Sequence, residues 1–262
     1  MEGYGINEHM IAGRKIPWFR LAAEGVVIIS SILIAFMVDA WWEERLERQD
    51  EQSYLASLHQ EFVHSRALII DAEKGRSVVL DANELLVAQA QGAARVPSEL
   101  LLYWFSLLSM PLDLSPPRAV FDDLVSSGGT LLIRSDNLRI ALAQYSALLA
   151  RAGKTTDEAW AVWTQRIQPF LEGRIPRIDR LRHGMFGKLA EEDGLTLPFD
   201  ASPHGADFDG VLSNPAFEDM LAERWLRVEN SKDDAAKLRA HVEEIIRLIE
   251  IELGQSGGLT GL

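Results

Sequence analysis

The chain contains no cysteine. Disulfides, thiolate metal sites and a cysteine nucleophile are therefore excluded, while the redox compartment stays open. Cations are also in the minority: 26 Lys and Arg stand against 39 Asp and Glu in 262 residues, a formal net charge of -13. Phosphate backbones are held by clustered Lys and Arg, so nucleic acid is not expected as a partner. No internal repeat of fixed period and no alternation of strands with helices is visible. A hydrophobic content of 47% with 25% charged residues is the balance of a chain that folds around a core.

What is present is concentrated near the N-terminus, in EGVVIISSILIAFMVDAWWEER, Glu24 to Arg45. Gly25 to Val38 is uncharged throughout, the length of a signal-peptide core and by itself short for a bilayer. Its flanks extend it. From Leu21 to Trp42 the polar residues are Glu24, Ser30, Ser31 and Asp39, and as a helix this stretch reaches about 33 Å, enough for the hydrocarbon layer. Trp18 and Phe19 precede it, and Trp41 and Trp42 follow roughly 35 Å away, the separation of aromatic belts at two membrane interfaces. A transmembrane helix over 21–42 is the expectation. A buried soluble helix and a cleaved signal peptide ending at Val38 to Ala40 are the competing readings.

Arg14, Lys15 and Arg20 before the span outnumber Arg45 and Arg48 after it, which places the N-terminus in the cytoplasm by a margin of one. In a bacterial inner membrane, residues from about 43 onward would then be periplasmic. Along the span, Glu24, Ser31, Ala35 and Asp39 are spaced by seven, four and four, so they share one helical stripe. Small residues at such intervals let helices approach closely, and carboxyl groups near helix ends prefer protein or interfacial water to lipid. The stripe is either a helix-association seam or simply the side on which both acids reach headgroup level.

This stretch resembles the signature of a family of bacterial single-span membrane proteins with a domain of unknown function. Their span reads Glu, an aliphatic run, Gly-Ile-Leu-Ile-Ala-Leu, then Asn-Asn-Trp-Asn-Glu. Glu24, Ile32 to Ala35, Trp41 and Glu43 match it, Ser31 stands where the family usually has Gly, and Asp39 where it has Asn. FDDLVSSGGTLLIRSDNLRIALAQY, LSNPAFEDML and IIRLIEIEL are similar to later segments of the family. The resemblance implies a membrane anchor and a helical domain, and no activity.

Beyond the span, Leu55, Leu58, Phe62, Ile69, Ala72, Val79 and Leu86 recur at helical steps, predicting an amphipathic helix over about 42–90 that Gly75 kinks. SNP at Ser213 to Pro215 signals the last helix. Its stripe is Phe217, Leu221, Val228, Leu238, Val242, Ile245 and Ile249, with Gly254 as the stop. Intervening helices are expected over 98–110, 116–127, 136–151 and 156–171, and 174–212 looks looser. The fold class is all-α: an N-terminal transmembrane helix followed by an elongated antiparallel helical bundle. The segments are a cytoplasmic 1–20, the span 21–42, an extracytoplasmic bundle 43–254 and a flexible tail 255–262.

Candidate chemistry is sparse. Glu61 and His64 have the Glu-x-x-His spacing of di-iron bundles, but no second pair accompanies them, so surface side chains are the simpler reading. Asp200, His204, Asp207 and Asp209 gather in one loop, a fragment of a calcium pattern or an acidic turn that caps the last helix. Arg174, Arg177, Arg180, Arg182 and Lys188 form a basic island with only Asp179 among them; pairing with acidic helices of the bundle is expected, with anionic lipid or an acidic partner as the other reading. SSGG at Ser126 to Gly129 lacks the Lys and the strand of a phosphate loop and reads as a helix end, after which Ser135 or Asp136 caps the next helix.

No catalytic residue, metal site or cofactor is assigned. The expected role is a membrane-anchored scaffold or interaction subunit, with the lipid bilayer and a homo-oligomer or membrane-protein partner. The alternative is a ligand-binding sensory module whose output passes to a separate protein.

Overall fold

The computed structural model describes the backbone of residues 18–257 and the side chains of residues 24–254. The segment before Trp18, the side chains of Trp18, Phe19 and Arg20, and residues 258–262 lie outside the described residues. Among those described, all regular structure is helical. The chain divides into two compact units, one ending at Asp50 and one beginning at Glu51.

Helix α1 runs over Trp18–Ala90. In its first unit, every residue from Val26 to Asp50 is exposed. In the second unit α1 contributes a buried row, Leu55, Leu58, Phe62, Ile69, Val79 and Leu86, each at most 1% exposed. The helix continues through Gly75, where no break occurs; a Cβ there would lie 3.2 Å from Met110 Cε, so the glycine admits a close neighbour.

The short helices α2, Ser98–Leu108, and α3, Ala119–Ser126, return the chain to the start of α4, Asp136–Val162. This return makes α1 and α4 parallel: Phe62 meets Tyr145, and fourteen residues on, Arg76 meets Thr156. Helix α9, Pro215–Gly257, runs antiparallel to both, with His59 bonded to Glu250 near one end and Glu84 to Trp225 near the other. Helix α4 does not break between 151 and 156, as the sequence suggested. Glycine in a helix interior costs about 1 kcal/mol, and burial of Ala152, Thr156 and Ala159 offsets it.

After α4 a π-turn over Trp163–Ile167 leads into α5, Gln168–Leu171. The expected loose region contains α6, Arg177–His183, α7, Met185–Glu192, and α8, Phe208–Leu212. The last helix passes its expected stop at Gly254 and ends at Gly257, so the first three residues of the anticipated tail are helical.

Two apolar clusters fill the second unit. One joins Leu55–Ile69 of α1 to α3, the first half of α4 and Ala235–Ile249 of α9. The other joins Val79–Leu86 to α2, the π-turn, α8 and Phe217–Val228. Between them lies a polar layer. Arg76, fully buried, donates Nε–H to Ser231 Oγ at 2.9 Å, Nη1–H to the Ala72 carbonyl at 2.9 Å and Nη2–H to Thr156 Oγ1 at 2.7 Å. Ser231 and Thr156 are themselves 3.2 Å apart, so three long helices are pinned in register at one level.

Candidate functional site

Two features of the chain call for a chemical account. The first is the apolar stretch of α1. Val26 to Val38 includes ten large apolar side chains between 51% and 71% exposed, and nothing in the first unit covers them. Water is a poor solvent for such a surface, which demands another apolar phase or partner. This one helix is long and apolar enough to cross a membrane or to serve as a signal sequence. Trp41 and Trp42 follow it, their rings 6.3 Å apart, with the Arg45 guanidinium 5.6 Å from the Trp41 centroid. Glu24, Ser31, Ala35 and Asp39 are all exposed on the continuous helix, and Ser31 Oγ–H donates to the Val27 carbonyl at 2.7 Å. That bond satisfies the hydroxyl locally and lets it face hydrocarbon at reduced cost.

The second feature is a cleft of about 350 Å³ in the second unit, lined by α2, the π-turn and α6. Its walls arise from local backbone chemistry. Trp163 N–H bonds to the Trp160 carbonyl, and Gln168 N–H reaches back five residues to the Trp163 carbonyl. Buried Arg224 braces this stretch from α9, donating Nη1–H to the Ala159 carbonyl and Nη2–H to the Leu108 carbonyl at the end of α2 at 3.3 Å. Burial pushes the Arg224 guanidinium down to about 10. Such π-turns often mark functional positions, and this one presents Trp163 and Gln168 to the cleft.

Helix α6 contributes Arg177 and Arg180 to the lining of the cleft. The corner after α6 can approach α2 because residue 184 is glycine: a Cβ there would stand 2.4 Å from Ser106 Cβ and 2.3 Å from the Arg180 carbonyl. Met185 N–H donates to Ser106 Oγ at 3.2 Å and fastens the corner. Arg180 is 6% exposed, its guanidinium carbon 5.8 Å from the Trp163 ring centroid, and its Nε–H has no hydrogen-bond partner. Burial, and then the neighbouring Arg177 charge, push Arg180 down to about 10.

The basic island therefore does not pair with acidic helices as expected. Arg174 donates to the Phe170 carbonyl at 2.6 Å and stacks on that ring, Arg182 donates to the Phe199 carbonyl at 2.7 Å, and Lys188 Nζ sits 3.7 Å above Tyr103. The acid within the island, Asp179, accepts from Ser202 N–H at 2.8 Å. Carbonyls and ring faces satisfy these cations because α6 and α7 pack on α2 and on aromatic positions rather than on carboxylates.

The remaining sequence candidates have structural roles. Glu61 accepts Val120 N–H at 2.7 Å and Phe121 N–H at 2.9 Å, capping α3 from another helix, while His64 is exposed. Asp207 accepts Gly210 N–H at 2.9 Å and caps α8, whereas the last helix is capped by Asn214, which accepts Ala216 N–H at 2.9 Å. The SSGG segment does end α3, with Gly128 at φ 73°, and Ser135 Oγ accepts Leu138 N–H at 3.4 Å at the start of α4. Among the described residues no group of three His, Asp or Glu is arranged to hold a metal ion. The cleft escaped the sequence reading because a run of arginines does not disclose which member is buried. A signal for Arg76 and Arg224 was present: both fall on the apolar stripes of α1 and α9.

No family model, curated protein or solved structure matches the chain.

Proposed function

We propose that the chain is a non-enzymatic, single-pass membrane protein that displays its helical domain at the membrane surface as a scaffold or interaction subunit. The observation that carries this reading is the uncovered apolar run Val26 to Val38, followed by exposed Trp41 and Trp42. Hydrocarbon is the solvent that suits the run, and indole rings suit its boundary. The likeness of Glu24 to Arg45 to a single-span family belongs to the same proposal. The excess of Arg and Lys before the span gives an N-terminus in the cytoplasm and a periplasmic domain in a bacterial inner membrane. Glu24, Ser31, Ala35 and Asp39 form the seam for association with a second copy or another membrane helix.

A reporter enzyme active only in the periplasm, fused after Leu262, is expected to be active, and an inactive reporter reverses the orientation. In a membrane two-hybrid assay, Ser31→Leu with Ala35→Leu is expected to reduce self-association several-fold, since the backbones can no longer approach. Unchanged association removes the seam.

The second reading, a ligand-binding module that signals through a separate partner, is favoured by one observation: the cleft with two arginines and no carboxylate.

A further inference from the structure

The Arg177 and Arg180 cleft has the composition of a binding site rather than of a packing defect. At about 350 Å³ it has the size of a small-molecule pocket. Its apolar walls come from Trp160, Trp163 and Leu181. Its polar groups are positively charged or neutral donors: Arg177, Arg180 and the Gln168 amide. Ser106 and Ser109 also line it, but their hydroxyls already donate, to the Tyr103 carbonyl at 2.7 Å and the Ser106 carbonyl at 2.6 Å.

The electrostatics are incomplete as they stand. A buried guanidinium is ordinarily paired with a carboxylate or bonded to hydroxyls and carbonyls, as Arg76 is through three bonds and Arg224 through two, with only the Arg224 Nε–H unpartnered. Among the described residues Arg180 makes no ion pair and no side-chain hydrogen bond; the neighbouring Arg177 has the same sign and no ion pair either, and its repulsion outweighs the attraction of Glu172. Two cations facing one cavity repel each other until an anion enters. A planar guanidinium fork matches the two oxygens of a carboxylate, and indole walls match a flat apolar body.

We propose that this cleft binds a small organic carboxylate with an aromatic or flat apolar body, its carboxylate between Arg177 and Arg180 and its body against Trp160 and Trp163. This site belongs to the second unit alone, so it stands or falls independently of the membrane anchor.

The test is calorimetric titration of the full-length protein in neutral detergent with sodium benzoate, with benzamide and inorganic phosphate as comparison ligands. Benzoate is expected to bind one per chain, and benzamide, lacking the charge, at least about tenfold more weakly. Arg177→Gln, an exposed position, is expected to weaken benzoate by about tenfold while leaving the melting temperature near that of the parent, with Arg177→Lys recovering part of the loss. Arg180→Gln is expected to abolish benzoate binding, and its cooperative melting verifies that the fold survives. Absence of benzoate binding by the folded parent overturns the proposal. Phosphate binding without benzoate binding overturns the ligand class, and benzoate binding by both Gln variants at the parent's affinity overturns the location.

Discussion

Phe217→Ala lowers the stability of the helical domain by about 3–5 kcal/mol, the cost of deleting a fully buried aromatic ring and leaving a cavity. Phe217 sits in the first turn of α9 with no exposed surface. Its ring stacks on Phe170 at 5.6 Å and lies 5.8 Å from Phe105, so a single side chain joins α9 to α5 and α2. None of these neighbours can collapse into the void without dragging a helix end. Asn214 fixes the start of α9 at the same point, through its bond to Ala216 N–H at 2.9 Å. For a domain of this size the loss corresponds to roughly 10 °C or more in melting temperature. Thermal melts followed by circular dichroism read it directly, and a shift below about 3 °C would mean that the ring cluster is not part of the core.

Arg76→Ala and Arg76→Met separate two explanations of the polar layer. Arg76 is fully buried, and burial lowers its affinity for the proton against the pull of Glu73 and Asp113. If its main contribution is the volume and the apolar stem, methionine replaces it at a change within about 1 kcal/mol, because removal of a buried charge relieves desolvation. Alanine instead leaves a cavity among α1, α4 and α9, at about 2–5 kcal/mol. The layer tolerates methionine because Thr156 retains its bonds to the Ala152 carbonyl at 2.7 Å and to Ser231 at 3.2 Å. Urea unfolding of the two variants gives the comparison. Equal and large losses would show that the three guanidinium bonds, not the filled space, hold the helices in register.

The same residues show how much of this architecture the sequence discloses. The stripes on α1 and α9 were legible because a buried helix face repeats every three or four residues, and Leu55, Leu58, Phe62 and Ile69, like Leu238, Val242, Ile245 and Ile249, keep that rhythm. The rhythm was read only through apolar residues, so Arg76, Arg224 and Ser231 dropped out, although each sits in the core on the stripe of α1 or α9. Helix α4 was divided at Gly153 because local propensity outweighed the burial of Ala152, Thr156 and Ala159 on either side. Short helices α6 to α8 carry too few turns to establish a period, and tertiary contacts define them.

The cleft was the least legible part. It depends on a shift from four- to five-residue hydrogen bonding at Trp163–Ile167 and on a glycine that lets the α6–α7 corner meet Ser106. Neither leaves a signature in composition or charge. The uncovered apolar run Val26 to Val38 is the opposite case, since its composition is visible in the sequence alone.

Membrane extraction tests the central claim most directly. Cells expressing the full-length chain are fractionated, and the membranes are washed at high salt and then in alkaline carbonate before neutral detergent is added. The anchored protein stays in the pellet through both washes, enters solution only with detergent, and has a mass that includes Glu24 to Trp42. Recovery of folded protein from the soluble fraction without detergent, or a mature chain beginning at or after Trp41, contradicts the membrane-anchor account.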